Sequence, residues 1–328
     1  MKKPIIGITM GDPAGIGPEL CLRVLDEPEV LQQCVPVIFG DMTVLSRVAR
    51  TCGLSEPACT IPLREWTKKQ KIGKPVVVDC GGIEGQAVRP GEIQAACGHA
   101  AYVYIEAAIN AATAGHIAAI ATAPINKESL QLAGIPYPGH TEMLAALTGA
   151  ERVCMMLAST EITVSLVTTH VGYAEVPAQL TRDRILDVIE LTVGVMKRLG
   201  KPLPRIAVCG LNPHGGEHGL FGCEEQEIVE PAVVEARRKG LAVAGPLPPD
   251  TAFLPEKRKK VDAYIVMYHD QGLIPFKMLA FDKGVNITLG LPIIRTSVDH
   301  GTAFDIAWKG KASANSLIQS VLWAVKLS

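Results

Sequence analysis

The sequence predicts an α/β protein with enough chain for two domains. It has 328 residues, of which 48% are hydrophobic and 20% are charged, so it can bury a large core. Residues 117–122 and 263–268 are almost wholly apolar, which is typical of strands buried on both faces of a parallel sheet. Residues 4–9 form another apolar run, and a glycine-rich loop and a helix start at Pro18 follow it. This order of strand, loop and helix indicates βα units.

The remaining elements continue this alternation along the chain. Apolar runs predict further strands at 35–39, 76–79, 162–168 and 205–211. Helices are predicted at 42–52, 91–115, 181–199, 224–239 and 313–325. Residues 53–74 are predicted to be irregular. Because no linker, repeat or low-complexity tract is present, we expect the two domains to share a continuous interface.

The charge balance and the cysteines exclude several classes of protein. A net charge of −1 provides no basic field for nucleic acid or for an anionic membrane. The nine cysteines are scattered and form no Cys-x-x-Cys pair, which favours a reducing cytosol over a disulfide framework. The first apolar run is broken at 11–13, too early for a signal peptide, and no apolar segment reaches the ~18 residues of a membrane span. We expect a cytoplasmic protein without nucleic-acid or membrane partners.

The loop at 11–19 reads Gly-Asp-Pro-Ala-Gly-Ile-Gly-Pro-Glu. Such a loop lets a ligand approach the backbone closely and directs helix N–H groups at it. It matches neither the Gly-x-Gly-x-x-Gly dinucleotide fingerprint nor the Gly-x-x-x-x-Gly-Lys phosphate loop. A ligand site and a tight turn between strand and helix therefore both remain open.

The stretch 263–310 carries the densest set of reactive side chains. His269-Asp270-Gln271-Gly272 follows a predicted strand, at the edge where open α/β sheets bind ligands. Lys277, Asn286 and Arg295 come next, on segments that we predict to be glycine-rich turns. Two cations and an amide can hold a phosphate or a carboxylate. We interpret this stretch as an active site.

Three predicted strands each deliver a histidine at their carboxyl end, namely His170, His214 and His269. A single histidine in such a place is commonly a hydrogen-bonded structural residue. Three at the same edge of a sheet predict a metal site with an open position for substrate. Imidazole ligands favour zinc, and magnesium, manganese and cobalt remain alternatives.

Other candidate side chains follow strand ends or turns. Lys127, His140 and Thr141 come after a predicted strand and indicate a ligand site, although a loop followed by a helix that Thr141 caps is the alternative. Asp250, in a proline-rich loop, is either a catalytic carboxylate or else a helix cap or an acidic turn residue. Residues 300–305 form a glycine turn that we expect to open a helix.

Six longer motifs stand out along the chain. They are Gly-Asp-Pro-Ala-Gly-Ile-Gly-Pro-Glu at 11–19, Pro-Gly-His-Thr-Glu at 138–142, Asn-Pro-His-Gly-Gly-Glu at 212–217, Tyr-His-Asp-Gln-Gly at 268–272, Gly-Val-Asn-Ile-Thr-Leu-Gly-Leu-Pro at 284–292 and Arg-Thr-Ser-Val-Asp-His-Gly-Thr at 295–302. In this order the sequence resembles the 4-hydroxythreonine-4-phosphate dehydrogenase family over nearly its whole length. The first motif and residues 300–307 are also similar to loops of the isopropylmalate and isocitrate dehydrogenases.

The resemblance implies two α/β/α domains with the active site in a cleft between them, as in isopropylmalate and isocitrate dehydrogenases. Residues 1–126 together with 290–328 would form the cofactor domain. Residues 127–289 would form the domain of the metal and of the dimer contact. The resemblance also implies a homodimer with a shared active site, in which His170 and His214 come from one subunit and His269 from the other.

The resemblance further implies a role for each candidate residue. The ligands of a divalent metal would be His170, His214 and His269. The substrate-binding residues would be His140, Thr141, Lys277, Asn286 and Arg295. The residues that bind NAD or NADP would be Gly11, Asp12, Gly15, His300, Gly301, Thr302 and Asp305.

The implied reaction is oxidation of 4-hydroxythreonine 4-phosphate, followed by decarboxylation to 3-amino-2-oxopropyl phosphate in pyridoxal phosphate biosynthesis. A metal held by neutral imidazoles would lower the pKa of the substrate alcohol, and Asp250, or alternatively Lys127, would take its proton. The family's alternative substrates are D-threonate 4-phosphate, D-erythronate 4-phosphate and a cis-dihydrodiol dicarboxylate. A metal-dependent hydrolase could use the same histidines, but it has no use for the dinucleotide loop at 300–307.

Overall fold

In a computed structural model, which describes residues 3–66, 72–281 and 283–328, the chain folds into two compact units. Unit 1 comprises the described residues up to Glu151 together with Leu291–Ser328, and unit 2 comprises Arg152–Gly290. In these described ranges no helix is both long enough and apolar enough to cross a membrane.

Strands and helices alternate through most of the chain. The strands are β1 Ile5–Thr9, β2 Val35–Gly40, β3 Thr60–Pro62, β4 Val76–Asp79, β5 Ala119–Thr122, β6 Cys154–Ala158, β7 Thr163–Leu166, β8 Ile206–Cys209, β9 Val243–Leu247, β10 Ala263–Val266, β11 Val285–Leu289 and β12 Arg295–Ser297. The helices are α1 Gly17–Leu25, α2 Pro28–Gln33, α3 Met42–Cys52, α4 Ala95–Thr113, α5 Lys127–Leu132, α6 His140–Thr148, α7 Val176–Gln179, α8 Arg182–Arg198, α9 Glu230–Arg238, α10 Pro249–Ala252, α11 Pro255–Arg258, α12 His269–Ala280 and α13 Asn315–Leu327. Shorter helical turns occupy Leu63–Glu65, Gly85–Ala87, Tyr173–Glu175, Pro213–Gly219, Glu225–Val229 and Phe304–Ile306.

Unit 1 is built on a parallel sheet with the strand order β3-β4-β2-β1-β5-β12. Ile8 of the central strand β1 lies opposite Ile38 of β2 and Ala121 of β5. Every residue of β2 and of β5 is buried, as expected where helices cover both faces of a sheet. Helices α4 and α13 pack on these strands, and the apolar side chains between helices and sheet form one core.

Unit 2 has strands in the order β11-β6-β7-β10-β8-β9. The pairs β11–β6 and β6–β7 are antiparallel, whereas β7–β10, β10–β8 and β8–β9 are parallel. Its own core contains Val164, Leu166, Tyr264, Val266 and Phe276. Because β7, β10 and β8 are parallel neighbours, their carboxyl ends lie at one edge of the sheet.

The predicted α/β class is confirmed, and the predicted strands and helices are present with small shifts of their ends. The helix predicted at 42–52 is α3, and the strand predicted at 76–79 is β4. The segment 53–74, predicted to be irregular, contains β3 and the turn Leu63–Glu65, while 67–71 lie outside the described residues.

The turns predicted around Lys277, Asn286 and Arg295 are wrong, because these residues lie on α12, β11 and β12. Gly272 had suggested a turn, but it lies within α12. A Cβ at this position would be 2.5 Å from Val164 Cγ1, so the glycine lets α12 approach β7 closely. Tertiary packing has here overridden the local signal of a turn.

The α-helix predicted to begin near residue 300 is also absent. The structure has only the short 3-10 turn Phe304–Ile306 at this place. Ala303, directly before the turn, adopts a left-handed backbone with φ +42°. This conformation is incompatible with a helix that continues from the glycine turn at 300–302.

The boundary between the units differs from the predicted one. Residues 127–151, which we expected in the middle domain, belong to unit 1. The reason is that α5 and α6 pack against α4, and Leu130, Met143 and Leu144 are fully buried in the core of unit 1. Gly290 closes unit 2.

Candidate active site

The strand ends of unit 2 bring two of the predicted metal ligands together. Leu166 of β7 lies opposite Val266 of β10. The pairing continues beyond the strands, since the Val167 N–H donates to the Val266 carbonyl at 2.9 Å. His170 and His269 follow, with ring centroids 5.4 Å apart. The ring centroids of two imidazoles bound to one tetrahedral zinc are roughly 5 Å apart, because each Zn–N bond is about 2.0–2.1 Å long.

Neighbouring side chains orient His269. Its Nδ1 lies 2.7 Å from Asp270 Oδ1, and the Tyr173 hydroxyl donates to Asp270 Oδ2 at 2.6 Å. The Tyr173 hydrogen bond, together with His269, holds the pKa of Asp270 below its ordinary value. Because a carboxylate engages Nδ1, Nε2 is the nitrogen that can bind a metal, which is the usual arrangement of metal-binding histidines.

His214 lies on a tightly wound loop. The backbone of His214, Glu217 and His218 is left-handed, with φ of +55°, +41° and +58°. This region is uncommon for residues other than glycine, so the surroundings must hold the loop in place. His214 Nδ1 lies 3.8 Å from Asp250 Oδ2, and both side chains are exposed. The structure thus places His214 beside the predicted base.

The three predicted histidine ligands are not gathered in one place. Among the residues that the structure describes, no group of three or more His, Cys, Asp and Glu side chains is arranged to hold a metal ion. The pair of His170 and His269 is in place, and the complete three-histidine site stays a prediction.

Two residues that we did not select from the sequence organise the approach to His214. Glu225 and Gln271 are buried, with exposed fractions of 3% and 7%. Both hydrogen-bond the backbone of residues 210–212, directly before the His214 loop. Gln271 lies within one of the motifs quoted above, whereas Glu225 carries no comparable signal in the sequence.

Lys277 and Asn286 of unit 2 are partly buried. Lys277 Nζ lies 5.2 Å from the centre of the Phe281 ring, and burial lowers the pKa of this lysine. Asn286 Nδ2 donates to Met155 Sδ at 3.2 Å. The buried Oδ1 of Asn286 makes no hydrogen bond within the described ranges. Since an unpaired buried amide oxygen costs free energy, Asn286 is suited to accept a hydrogen bond from a ligand.

In unit 1, Arg295 is buried and His140 is half-buried, and the two side chains are close enough for the Arg295 charge to act on the imidazole. Arg295 donates to Thr122 Oγ1 at 2.8 Å, and burial lowers its pKa to about 9 although the Glu142 carboxylate raises it. Burial and the Arg295 charge hold the pKa of His140 well below 6.5, so this imidazole is neutral. The buried Nε2 of His140 makes no hydrogen bond in the described part of the chain. A guanidinium beside a neutral imidazole can bind a phosphate or a carboxylate.

The helix-capping alternatives for two candidate residues are wrong. The N-cap of α6 is Gly139, with no side-chain hydrogen bond, so Thr141 does not cap this helix. Asp250 does not cap α10, but it lies in the first turn of that helix, in line with the alternative of an acidic turn residue. Lys127 is exposed at the start of α5, where Asn126 is the cap.

The glycine-rich loop of unit 1 packs against the backbone of the protein. Gly11 has φ +72°, and a Cβ there would lie 2.3 Å from the Pro124 carbonyl oxygen. A Cβ at Gly15 would lie 3.0 Å from Thr302. These contacts account for both glycines without a ligand. The Ile16 N–H donates to the Thr302 carbonyl at 3.0 Å, so the two predicted cofactor segments are in contact.

The Asp12 side chain is fully buried within this loop. Its Oδ1 accepts the Ala14 N–H at 2.9 Å, while Oδ2 makes no hydrogen bond within the described residues. Burial raises the pKa of Asp12 to about 6, although the Ala14 N–H lowers it. Asp12 therefore changes its charge near neutral pH.

The second cofactor segment is more open. His300, Gly301 and Asp305 are exposed, and Thr302 is buried. His300 Nδ1 lies 3.0 Å from the Gly301 carbonyl oxygen. A Cβ at Gly301 would meet none of the described atoms within 4 Å. This turn has space beside it for a ligand.

Comparisons with known proteins identify the family. The family described as pyridoxal phosphate biosynthetic protein PdxA matches residues 32–324. The chain belongs to the PdxA family. A 4-hydroxythreonine-4-phosphate dehydrogenase from Desulforapulum autotrophicum is 47% identical over 98% of this chain and 95% of its own length.

Further PdxA relatives carry two different names. The D-threonate 4-phosphate dehydrogenase of Salmonella typhimurium is 44% identical and covers 100% of both chains. The crystal structure of 4-hydroxythreonine-4-phosphate dehydrogenase from Klebsiella pneumoniae is 44% identical, with a TM-score of 0.88, over 99% of this chain and 98% of that one. The family resemblance of the motifs is confirmed, and these relatives are named dehydrogenases rather than hydrolases.

Proposed function

We propose that this protein oxidises the secondary alcohol of 4-hydroxythreonine 4-phosphate with NAD or NADP. The proposal rests on the PdxA match over residues 32–324 and on the relative of that name at 47% identity. Loss of hydride from C3 and of the hydroxyl proton creates a ketone β to the carboxylate. The β-keto acid then loses carbon dioxide. The products are 3-amino-2-oxopropyl phosphate, carbon dioxide and the reduced cofactor.

The substrate would be held by the residues whose types suit its charged ends. Arg295 and His140 would bind one anionic group, with the Thr141 hydroxyl beside His140. Lys277 and Asn286 would bind further oxygens or the amine of the substrate. The buried His140 Nε2 and Asn286 Oδ1, which have no hydrogen bond within the described residues, support these roles.

We propose His170, His214 and His269 as the ligands of one divalent metal, with zinc favoured. When bound, the metal would act as a Lewis acid on the oxygen at C3. The adjacent rings of His170 and His269 and the carboxylate on His269 Nδ1 fit this role. These contacts orient the histidines before the substrate arrives.

Asp250 is the proposed base for the hydroxyl proton. It belongs to the same unit as the three histidines and lies 3.8 Å from His214. Lys127 is the alternative, at the exposed start of α5 in unit 1. A base must be within hydrogen-bond reach of the proton that it removes, so the position of Asp250 next to a proposed metal ligand favours it.

The proposed cofactor is NAD or NADP, which would accept the hydride from C3. The residues assigned to it are Gly11, Asp12, Gly15, His300, Gly301, Thr302 and Asp305. The exposed turn at 300–301 and its contact with the 11–19 loop through Thr302 support a shared site. A nicotinamide-dependent enzyme with nine free cysteines fits the proposed cytoplasmic location.

We further propose a homodimer with a shared active site. Ile274 and Met278 of α12 and Phe281, directly after this helix, are 59%, 82% and 70% exposed, and their spacing places them on one side of it. Exposed apolar clusters commonly mark protein interfaces, and the proposed occupant is a second copy of the chain. Because His170 and His269 are adjacent within one chain, we propose that His214 belongs to the partner's site, whereas the resemblance implies that His269 does.

D-threonate 4-phosphate is the second candidate substrate, because relatives of that name are almost as similar to this chain. It carries a hydroxyl at C2 where 4-hydroxythreonine 4-phosphate carries an amine. Oxidation at C3 and loss of carbon dioxide would then give a dihydroxyketone phosphate. The anionic ends are the same in both substrates, so the residues that hold those ends do not distinguish them.

A substrate panel tests the proposed function. The purified protein, supplied with zinc, is assayed with 4-hydroxythreonine 4-phosphate, D-threonate 4-phosphate and D-erythronate 4-phosphate, each with NAD and with NADP. We expect the highest kcat/KM for 4-hydroxythreonine 4-phosphate. A higher value for either sugar acid would establish the alternative, and absence of reduced cofactor with all three would contradict a phosphorylated hydroxy acid as substrate.

A further inference from the structure

The segment 210–212 connects the end of β8 to the His214 loop, and Gln271 holds it from one side. Gln271 Nε2 donates to the Gly210 carbonyl at 2.7 Å, and its Oε1 accepts the Met267 N–H at 2.7 Å. One buried amide thereby ties the end of β8 to the end of β10. Both hydrogen bonds are short, and both partners are backbone groups.

Glu225 holds the same segment from the other side. Its Oε1 accepts the N–H groups of Leu211 and Asn212 at 2.6 and 2.7 Å. Its Oε2 accepts the Asn212 side-chain amide at 3.0 Å. Hydrogen bonds to an ionised acceptor are stronger than those between neutral groups, so this carboxylate is well suited to fix a loop.

The backbone beyond this segment closes around the Glu225 carboxylate. A Cβ at Gly216 would lie 2.5 Å from Oε2, and a Cβ at Gly210 would lie 2.9 Å from Oε1. Glu225 also begins a π-helical turn, a feature that is frequent at functional sites. The backbone on both sides of His214, at Gly210 and Gly216, therefore encloses the buried Glu225 carboxyl group.

We propose that Glu225 and Gln271 are positioning residues that present His214 to the metal. The inference rests on the proposed role of His214 as a ligand. Neither residue would contact substrate, cofactor or metal. Each would act through the backbone of 210–212, and loss of either would weaken metal binding without removing a ligand.

Two nearly isosteric substitutions test the two sides separately. In Glu225→Gln the new Oε1 can still accept both backbone N–H groups, but the new Nε2 faces the Asn212 amide, donor against donor. Gln271→Met keeps the length of the side chain and loses both hydrogen bonds. Thr192→Val is the matched control, because it removes a buried hydrogen bond of 2.7 Å to Ser165 elsewhere in unit 2.

The measurement is the affinity of the full-length protein for Zn²⁺, by competition with a chelating dye, with circular dichroism to verify folding. We expect Glu225→Gln and Gln271→Met each to weaken zinc binding by about 10- to 100-fold, the usual effect of losing a residue that supports a metal ligand. Thr192→Val should bind zinc like the wild type. An affinity within twofold of wild type in both folded variants would overturn the proposal, and should one variant not fold, the other decides.

A double-mutant cycle separates this inference from the metal assignment. His214→Ala should weaken zinc binding, and adding Glu225→Gln to it should cause little further loss, because Glu225 acts through His214. A full additional loss in the double variant would show that Glu225 acts elsewhere and would overturn the inference alone. Wild-type zinc affinity of His214→Ala would instead contradict the metal site of the proposed function, and the inference with it.

Discussion

His170 and His269 lie side by side in one chain, with ring centroids 5.4 Å apart and ring planes inclined by 45°. The parallel register of β7 and β10 produces this pair, because both histidines follow strand ends at the same edge. His214 follows β8, the other neighbour of β10, and extends on its own loop toward Asp250. Two of the three proposed ligands are thus adjacent within one chain.

We predict that His214→Ala loses bound zinc and nearly all turnover while it stays folded. A ligand lost from a three-histidine site removes the proper geometry for the metal. Elemental analysis after dialysis measures the zinc content. His116→Ala is the control, since its ring packs near Trp66 in unit 1 and should leave both zinc and turnover unchanged. Full occupancy in the His214 variant would exclude this residue as a ligand.

Subunit mixing tests which histidine the partner subunit contributes to each metal site. If His214 is contributed by the partner, mixing His214→Ala with His269→Ala should restore roughly a quarter of wild-type activity, because half of the dimers are mixed and each has one intact site. Mixing His170→Ala with His269→Ala should restore none, since both lesions affect ligands that stay within one chain.

Mass spectrometry of isotopically labelled subunits must first show that the chains exchange. Recovery in both mixtures would return His269 to the partner, as the family resemblance implied, because His269 would then come from a different chain than His170 and His214. Recovery in the second mixture alone would assign His170 to the partner. Recovery in neither mixture, with verified exchange, would mean that one chain supplies all three histidines.

Arg295→Lys should lower kcat/KM at least about tenfold. Lysine cannot donate two parallel hydrogen bonds to an anion, and a hydrogen bond to a charged group contributes ~1.5–3 kcal/mol. Steady-state kinetics with the phosphorylated substrate measures the effect. Arg152→Lys changes an exposed arginine that pairs with Asp187 and Glu190, and it should leave kcat/KM unaltered. Equal kinetics of both variants would remove Arg295 from the substrate site.

Asp12 should make the stability of unit 1 depend on pH. Its pKa is about 6 in the folded protein against an ordinary value of 3.8, so the folded state favours the protonated form. The contribution of Asp12 to the free energy of unfolding is therefore most favourable below pH 4. It becomes less favourable by up to about 3 kcal/mol as the pH rises to about 6.

Asp12→Asn keeps an acceptor for the Ala14 N–H and cannot ionise. The free energy of unfolding by urea should therefore rise in the variant relative to the wild type between pH 4 and pH 6.5, and the difference should be constant above about pH 7. Parallel pH profiles of the two proteins would show that Asp12 is already ionised in the folded state at pH 4.

The exposed face of α12 should carry the dimer contact. Met278→Glu places a charge in the centre of this face and should shift the protein toward monomer in light scattering, because burying an unpaired charge is costly. Leu203→Glu changes an exposed leucine elsewhere in unit 2 and should leave the mass unchanged. A dimer that tolerates Met278→Glu at micromolar concentration would place the contact elsewhere.

The histidine-bearing strands could be predicted because their signals are local. Apolar runs locate β7, β8 and β10, and parallel strands end at the same edge, so the sequence predicts three histidines at one edge of the sheet. It does not predict which strands are neighbours, so the adjacency of His170 and His269 became apparent only from the pairing of β7 with β10. Strand β12 could not be predicted, since Arg295, Thr296 and Ser297 are polar in composition yet buried. Their burial depends on distant partners, such as the Ser320 carbonyl that accepts the Thr296 hydroxyl at 2.8 Å.

The residues that organise the candidate site were harder to foresee. Glu225 accepts a hydrogen bond from the Leu211 N–H, 14 residues earlier in the chain, and Gln271 donates one to the Gly210 carbonyl, 61 residues earlier. Nothing in a glutamate or a glutamine by itself indicates that its side chain is buried against the backbone of a distant loop. Likewise, the reason for a glycine at 272 lies in the close approach of α12 to β7, which the sequence of α12 does not show.

The most direct test of the proposed activity is the stoichiometry of the reaction with 4-hydroxythreonine 4-phosphate labelled with ¹³C at the carboxylate. We predict one labelled carbon dioxide for each molecule of NADH or NADPH formed, with no release of inorganic phosphate. Reduced cofactor without labelled carbon dioxide would contradict the decarboxylation, and phosphate release without reduced cofactor would contradict the dehydrogenase itself.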